Sequence, residues 1–175
     1  CLSDWSSDVC SSDLTPKKGG KLRLGIGHGS TTDVLDPATY ENLYVQVLGG
    51  AVHNKLTEIS NTGDLAPELA ESWEPTPDAV QWRFKLRKGV EFHNGKSLEA
   101  EDIIASFNHH RGEESKSAAK PIVDPIEDIK ADGKDTVVFT MKTGNADFPF
   151  IVSDYHLAIM PSKDGKVDAA AGTGA

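Results

Sequence analysis

From Trp82 to Arg87 apolar and basic side chains alternate one for one, with Trp82, Phe84 and Leu86 set against Arg83, Lys85 and Arg87. Neighbouring strand residues point to opposite faces, so this run predicts a strand with one apolar and one charged face. A helical period of about 3.6 would scatter the three large side chains around a cylinder. Burying each of them contributes about 1.5–3 kcal/mol, so the apolar face requires a cover. A cover follows in the sequence. Ala100, Ile103, Ile104 and Phe107 fall on one side of a predicted helix that Ser97 caps. Glu99, Glu101 and Asp102 stand in its first turn, His109, His110 and Arg111 at its end and Gly112 beyond, matching the preferences of both helix termini. Farther on, Ile126–Ala131 and Thr136–Met141 flank Asp132-Gly133-Lys134-Asp135, the pattern of an antiparallel hairpin. The fold class expected is α/β, mixed α and β built on hairpins.

The remaining segments carry weaker signals. Lys21 to Ile26 alternates like a half-buried strand, and Gly25, Gly27 and Gly29 lead into a loop with Ser30 and Thr31. Tyr40, Leu43, Tyr44, Val47, Leu48, Ala51 and Val52 recur at helical spacing, with Gly49 and Gly50 marking either close packing or an early helix end. Asn61-Thr62-Gly63-Asp64 is a turn, and Ala66 to Trp73 reads as a short capped turn of helix. Residues 113 to 121 are expected to be a polar linker, Ala146 to Ser153 a short helix and Tyr155 to Met160 a last strand.

Residues 1–14, CLSDWSSDVCSSDL, hold both cysteines and five serines and show neither period. Asp4 to Leu14 resembles a translated sequencing adaptor, so this stretch is expected to be an artefact and is set aside from the fold. A genuine N-terminus with Cys1 as a lipid-modified cysteine is the alternative. Without its three aspartates the net charge moves from −9 to −6, still with no basic stripe for a nucleic-acid backbone. No apolar run approaches the roughly 18 residues of a membrane-spanning helix.

Catalytic motifs fail on count. Gly89-Val-Glu-Phe-His-Asn-Gly95-Lys96-Ser97 has one residue too many between its glycines for a phosphate loop, and its following helix begins with acids. Gly25-Ile-Gly27-His28-Gly29 misplaces the third glycine of a dinucleotide fingerprint. His109 and His110 diverge by about 100° on a helix, which disfavours a shared metal and predicts a solvated helix end. No hydrolase signature occurs, so neither an enzyme nor a cofactor is expected.

The order of several segments resembles family 5 of the bacterial extracellular solute-binding proteins, the dipeptide, oligopeptide and nickel receptors of ABC importers. Those segments are Gly19-Gly20-Lys21-Leu22-Arg23, Leu35-Asp36-Pro37, Leu65-Ala66-Pro67-Glu68-Leu69-Ala70-Glu71-Ser72-Trp73 and Trp82 through Lys96 into Leu98–Ser106. Gly172-Thr173-Gly174 is similar to the family's return into its first lobe. The resemblance implies part of a type II periplasmic-binding clamshell. Residues 15–52 would begin lobe one, 53–162 form an inserted small domain and 163–175 return, with the chain cut before the second lobe. It also implies a monomeric receptor outside the cytoplasm, its signal peptide missing from this chain. Such a receptor captures a small peptide or similar solute and delivers it to a membrane permease. The family pattern places a cleft-lining side chain four residues after the proline of Leu-Asp-Pro, here Glu41, with Leu43 nearby. Glu41 would meet a peptide amine or a basic side chain, or stand solvated on the helix surface. Ser30 and Thr31 would donate to ligand backbone groups or only satisfy their own loop. The rival expectation is an α/β interaction module with no small ligand.

Overall fold

The computed structural model describes residues 19–175, so the adaptor-like residues 1–14, and residues 15–18 of the expected lobe-one segment, lie outside the described residues. In chain order a 3-10 turn over Pro37–Thr39 precedes helix α1 (Leu43–Val52) and the short antiparallel strands β1 (Thr57–Ile59) and β2 (Leu65–Pro67). Strands β3 (Ala70–Pro75) and β4 (Gln81–Leu86) lead to helix α2 (Ala100–His110) and the single turn α3 (Lys120–Val123). The hairpin β5 (Ile126–Ala131) and β6 (Thr136–Met141) follows, then the short α4 (Phe148–Ile151) and the two-residue strands β7 (Ser162–Lys163) and β8 (Lys166–Val167).

Strands β3, β4, β6 and β5 form, in that order, one antiparallel sheet. The Trp82–Leu86 alternation becomes central strand β4, with Trp82, Phe84 and Leu86 buried and Gln81, Arg83 and Lys85 exposed. Trp82 faces Phe139 and Phe84 faces Val137 across the ladder, so the inner face is almost wholly aromatic and branched. Phe107 of α2 meets Phe139 edge-on at 4.9 Å between ring centroids, and Phe148 of α4 meets Phe139 at 5.1 Å and Phe84 at 5.9 Å. The Trp82 indole N–H donates to the Asn145 carbonyl at 3.0 Å, so the one polar atom of the cluster is satisfied. On the outer face Arg83 pairs with Asp132, and Lys85 with Glu71 at 2.6 Å.

Helix α2 carries a capping box, but at Glu99 and Asp102 and not at Ser97: Glu99 is the N-cap, and its backbone N–H donates to the Asp102 carboxylate at 3.0 Å. Ser97 instead bridges to Glu91, which tightens the turn before the helix. Asp102 is fully buried and also accepts from Lys96, from the Ser162 N–H at 2.6 Å and from the Ser162 hydroxyl at 2.8 Å. Ser106, one turn on, accepts from the Met160 N–H at 3.0 Å. The back of α2 thus carries residues 160–162.

Several expectations are corrected. Residues 19–30 form no strand: Leu22 and Leu24 are largely exposed, and no described strand pairs with them. Ala66–Trp73 is extended and not helical, because Ala70–Pro75 completes the β4 edge and Pro67 breaks a helix. The strand expected over Tyr155–Met160 forms no ladder: Tyr155 is exposed, and in the buried remainder the Ile159 N–H goes to the Asn54 carbonyl (2.9 Å) and the Met160 N–H to Ser106. The linker over 113–121 ends in α3, and the helix expected over 146–153 contracts to α4.

Candidate functional site

Glu41 and Leu43 sit where the 3-10 turn hands over to α1. Asp36 opens the turn, its Oδ1 accepting from the Ala38 N–H at 2.9 Å. Tyr40 closes it, and Asn42 then caps α1 by accepting from the Val45 N–H at 3.1 Å. The helical stripe expected from Tyr40 therefore begins at Leu43, because Asn42 takes the extended cap conformation. Glu41 is left exposed in the link between the two elements, and its carboxylate joins no ion pair or hydrogen bond among the described residues. Leu43 is 55% exposed, and Val47, one turn along on the same face, is also open.

The glycine-rich loop lies against this helix start. Gly29 packs on the Tyr44 ring, 3.5 Å from where its Cβ would stand. The Asn42 side-chain amide donates to Asp33 Oδ1 at 2.8 Å. Ser30 is exposed but largely occupied with its own loop: its N–H donates to Asp33 at 2.6 Å and its hydroxyl pairs with Thr32 at 2.9 Å. Thr31 is exposed beside it. The structure thus links the segment carrying Ser30 and Thr31 to the one carrying Glu41 and Leu43 through Asp33 and Asn42. These segments carry the Glu41 carboxylate, the Ser30 and Thr31 hydroxyls and the exposed apolar side chains of Val34, Leu43, Tyr44 and Val47.

Behind these segments lies a cluster of titratable groups that the sequence does not announce. His109 and His110 do not form a solvated helix end: His110 is fully buried, and His109 is half-buried with its Nε2 2.8 Å from Asp36 Oδ1. The hydrogen bond to Asp36 raises the His109 pKa against the opposing effect of burial. Burial lifts the Asp36 carboxyl, but the hydrogen bonds from His109 and Ala38 outweigh it and the net shift is downward. Burial, helped by the charge of His109, pushes His110 down to about 4. His110 Nδ1 meets the Ser117 hydroxyl at 2.7 Å, and its Nε2 has no partner. The Tyr40 hydroxyl donates to the Leu35 carbonyl at 3.3 Å and lies equally far from His53 Nδ1. Burial, then the nearby Asp36 charge, pushes Tyr40 up to about 12. Burial and the nearby His93 lower His53. The Asn42 cap was open to discovery from an Asn standing just before an apolar stripe, whereas the Asp36–His109 contact spans 73 residues and left no local signal.

Among the described residues no three His, Cys, Asp or Glu side chains gather to hold a metal ion. A cavity of about 340 Å³ between Asn94, Ser162, Lys163, Lys166 and Asp168 includes none of Ser30, Thr31, Glu41 or Leu43.

The family model described as "Bacterial extracellular solute-binding proteins, family 5 Middle" matches residues 64–175. The periplasmic oligopeptide-binding protein OppA of Haemophilus influenzae is 34% identical over 92 residues, covering 50% of this chain and 16% of that protein. The binding protein AgaA of A. tumefaciens R10, solved with agropinic acid, superposes with a TM-score of 0.70 at 26% identity, over 73% of this chain and 26% of that one. DppA of Helicobacter pylori, solved with the peptide STSA, gives a TM-score of 0.67 at 27% identity, over 75% of this chain and 29% of that one. The chain spans less than a fifth of the length of the curated relatives it matches.

Proposed function

The chain belongs to the bacterial extracellular solute-binding proteins of family 5, and from that premise we propose that it serves solute capture for an ABC importer outside the cytoplasm. The solute is a small peptide or a similar small solute, handed on to a membrane permease by a monomeric receptor that does no chemistry on it. The family match carries this reading. Relatives solved with the peptide STSA and with agropinic acid support the substrate class. The residues proposed for recognition are Glu41, Leu43, Ser30 and Thr31. Glu41 is the strongest of them, being an exposed carboxylate without a protein partner among the described residues and so available to a ligand ammonium group. Leu43 supplies apolar contact beside it, and the two hydroxyls offer hydrogen bonds to ligand backbone. Residues 19–52 and 163–175 are assigned to lobe one, and 53–162 to the small domain set into it.

The test is calorimetry with free-amine di- to pentapeptides, an opine and nickel–histidine, on this chain and on one extended to the length of its relatives. Saturable binding of one class by the longer chain is expected, with Glu41→Ala weakening it about tenfold at an unchanged melting temperature. Absence of binding to all three classes by the longer chain overturns the receptor reading. An unchanged dissociation constant in Glu41→Ala removes that residue from the site. The exposure of Val34, Leu43, Tyr44 and Val47 favours one rival, a protein–protein interaction module. That rival predicts no solute binding at any length.

A further inference from the structure

We propose that Asp36 and His109 form a pH-dependent pin that ties the Leu35-Asp36-Pro37 turn, and with it the start of α1, to the end of α2. The geometry is specific. A single oxygen, Asp36 Oδ1, accepts both the Ala38 N–H, which shapes the turn, and His109 Nε2, which anchors it. A second tie runs alongside, from the Ala118 N–H to the Ala38 carbonyl at 3.1 Å. Turn and helix are thus joined through one carboxylate and one carbonyl, with the carboxylate half-buried and its hydrogen bonds directed.

The groups facing the pair set its pH range. Around His109 stand Asp36 from the turn and His110, its ring 5.3 Å away, from α2. Around His110 stand Ser117, His156 and Asp154 as well as Asp36. Tyr40 lies near Asp36 and stays neutral across the whole range. His109 is raised, so its share of the pin is complete below the ordinary histidine value near 6.5 and is lost as pH rises through its higher folded value. Asp36 is lowered, so its share is complete above the ordinary carboxylate value and is lost only in stronger acid. His110 remains neutral until about 4 and brings no competing charge in between. The pin is strongest from mildly acidic to near-neutral pH and weakens on the alkaline side, where the neutral imidazole can still donate through Nε2–H but without its charge.

Because Glu41 and Leu43 follow directly on the pinned turn, Asp36 and His109 are positioning residues for the proposed ligand site, a role that rests on the receptor reading; the pin itself does not. The test is histidine NMR titration together with amide exchange on this chain. Protection of the Thr39, Tyr40, Gln46 and Ala118 amides, corrected for intrinsic exchange, is expected to be about tenfold greater at about pH 6 than at about pH 8.5. The Phe84 and Phe139 amides, in the sheet, should show no such change. Asp36→Asn keeps an oxygen for the Ala38 N–H but removes the charge, so it should erase the difference and lower the His109 pKa, because burial then acts unopposed. His109→Gln keeps a donor without a titration and should make protection independent of pH. Equal protection at both pH values in the unaltered chain, or a His109 titration in Asp36→Asn that is the same as in the unaltered chain, overturns the pin. Solute binding is not read here, so failure of the pin and failure of the receptor reading are separate results.

Discussion

Asp102 is a carboxylate with no exposure, and everything around it is a donor: Lys96, the Glu99 N–H, and both the N–H and hydroxyl of Ser162. Asp102→Ala strands these donors and opens the helix N-terminus, so a loss of about 3 kcal/mol is expected by denaturant unfolding, with a smaller loss for Asp102→Asn. In the sequence Asp102 is legible only as a first-turn acid, because the chain returns to it 60 residues later at Ser162. His110 is a second case in which long-range burial overrides local position. It is held neutral in the fold with its value pushed down to about 4. Its contribution is therefore complete above the ordinary histidine value and is lost as pH falls toward 4, up to roughly 3 kcal/mol. Unfolding free energy should decline between about pH 6.5 and pH 4, and His110→Asn, which can keep a contact to Ser117, should make that decline shallower while lowering stability at neutral pH.

At the scale of elements, the paired glycines of α1 have opposite environments. A Cβ at Gly49 would stand 2.3 Å from the Tyr40 ring, whereas nothing lies within 4 Å of one at Gly50. Gly49→Ala is expected to displace buried Tyr40 and cost about 1–3 kcal/mol. Gly50→Ala should stabilise the helix by about 0.5–1 kcal/mol, and thermal melting of the two variants side by side checks the contrast. The sequence predicts a helix there and offers two meanings for its glycines; close packing at Gly49 is the one realised, and the helix runs on to Val52. Strand β4 and the β5–β6 hairpin are legible because alternation and an Asp-Gly turn are local signals. β3 is not, since Ala70–Pro75 has little apolar alternation and is extended because β4 offers it an edge. Of the candidate site, Glu41 and Leu43 are legible through resemblance alone, while the Asp33–Asn42 link that seats them belongs to the tertiary structure.

For the molecule as a whole, stability concentrates in the cluster of Trp82, Phe84, Phe107, Phe139 and Phe148 between the sheet, α2 and α4. Phe84→Ala, at a residue with no exposure and four aromatic neighbours, Trp73, Trp82, Phe139 and Phe148, is expected to cost about 3–5 kcal/mol. That is a large share of the ~5–15 kcal/mol of a typical domain, so near-UV circular dichroism and the denaturant midpoint should both fall sharply. The Ile159 N–H on the Asn54 carbonyl has a different consequence. That bond brings the two ends of the 55–158 stretch side by side, and α2 within the stretch is fastened again to the flanking segments, through Asp102 to Ser162 and through His109 to Asp36. Because entry and exit are fixed side by side, an insertion at an exposed turn such as Asp132-Gly133 would leave the spacing of the flanking segments unchanged.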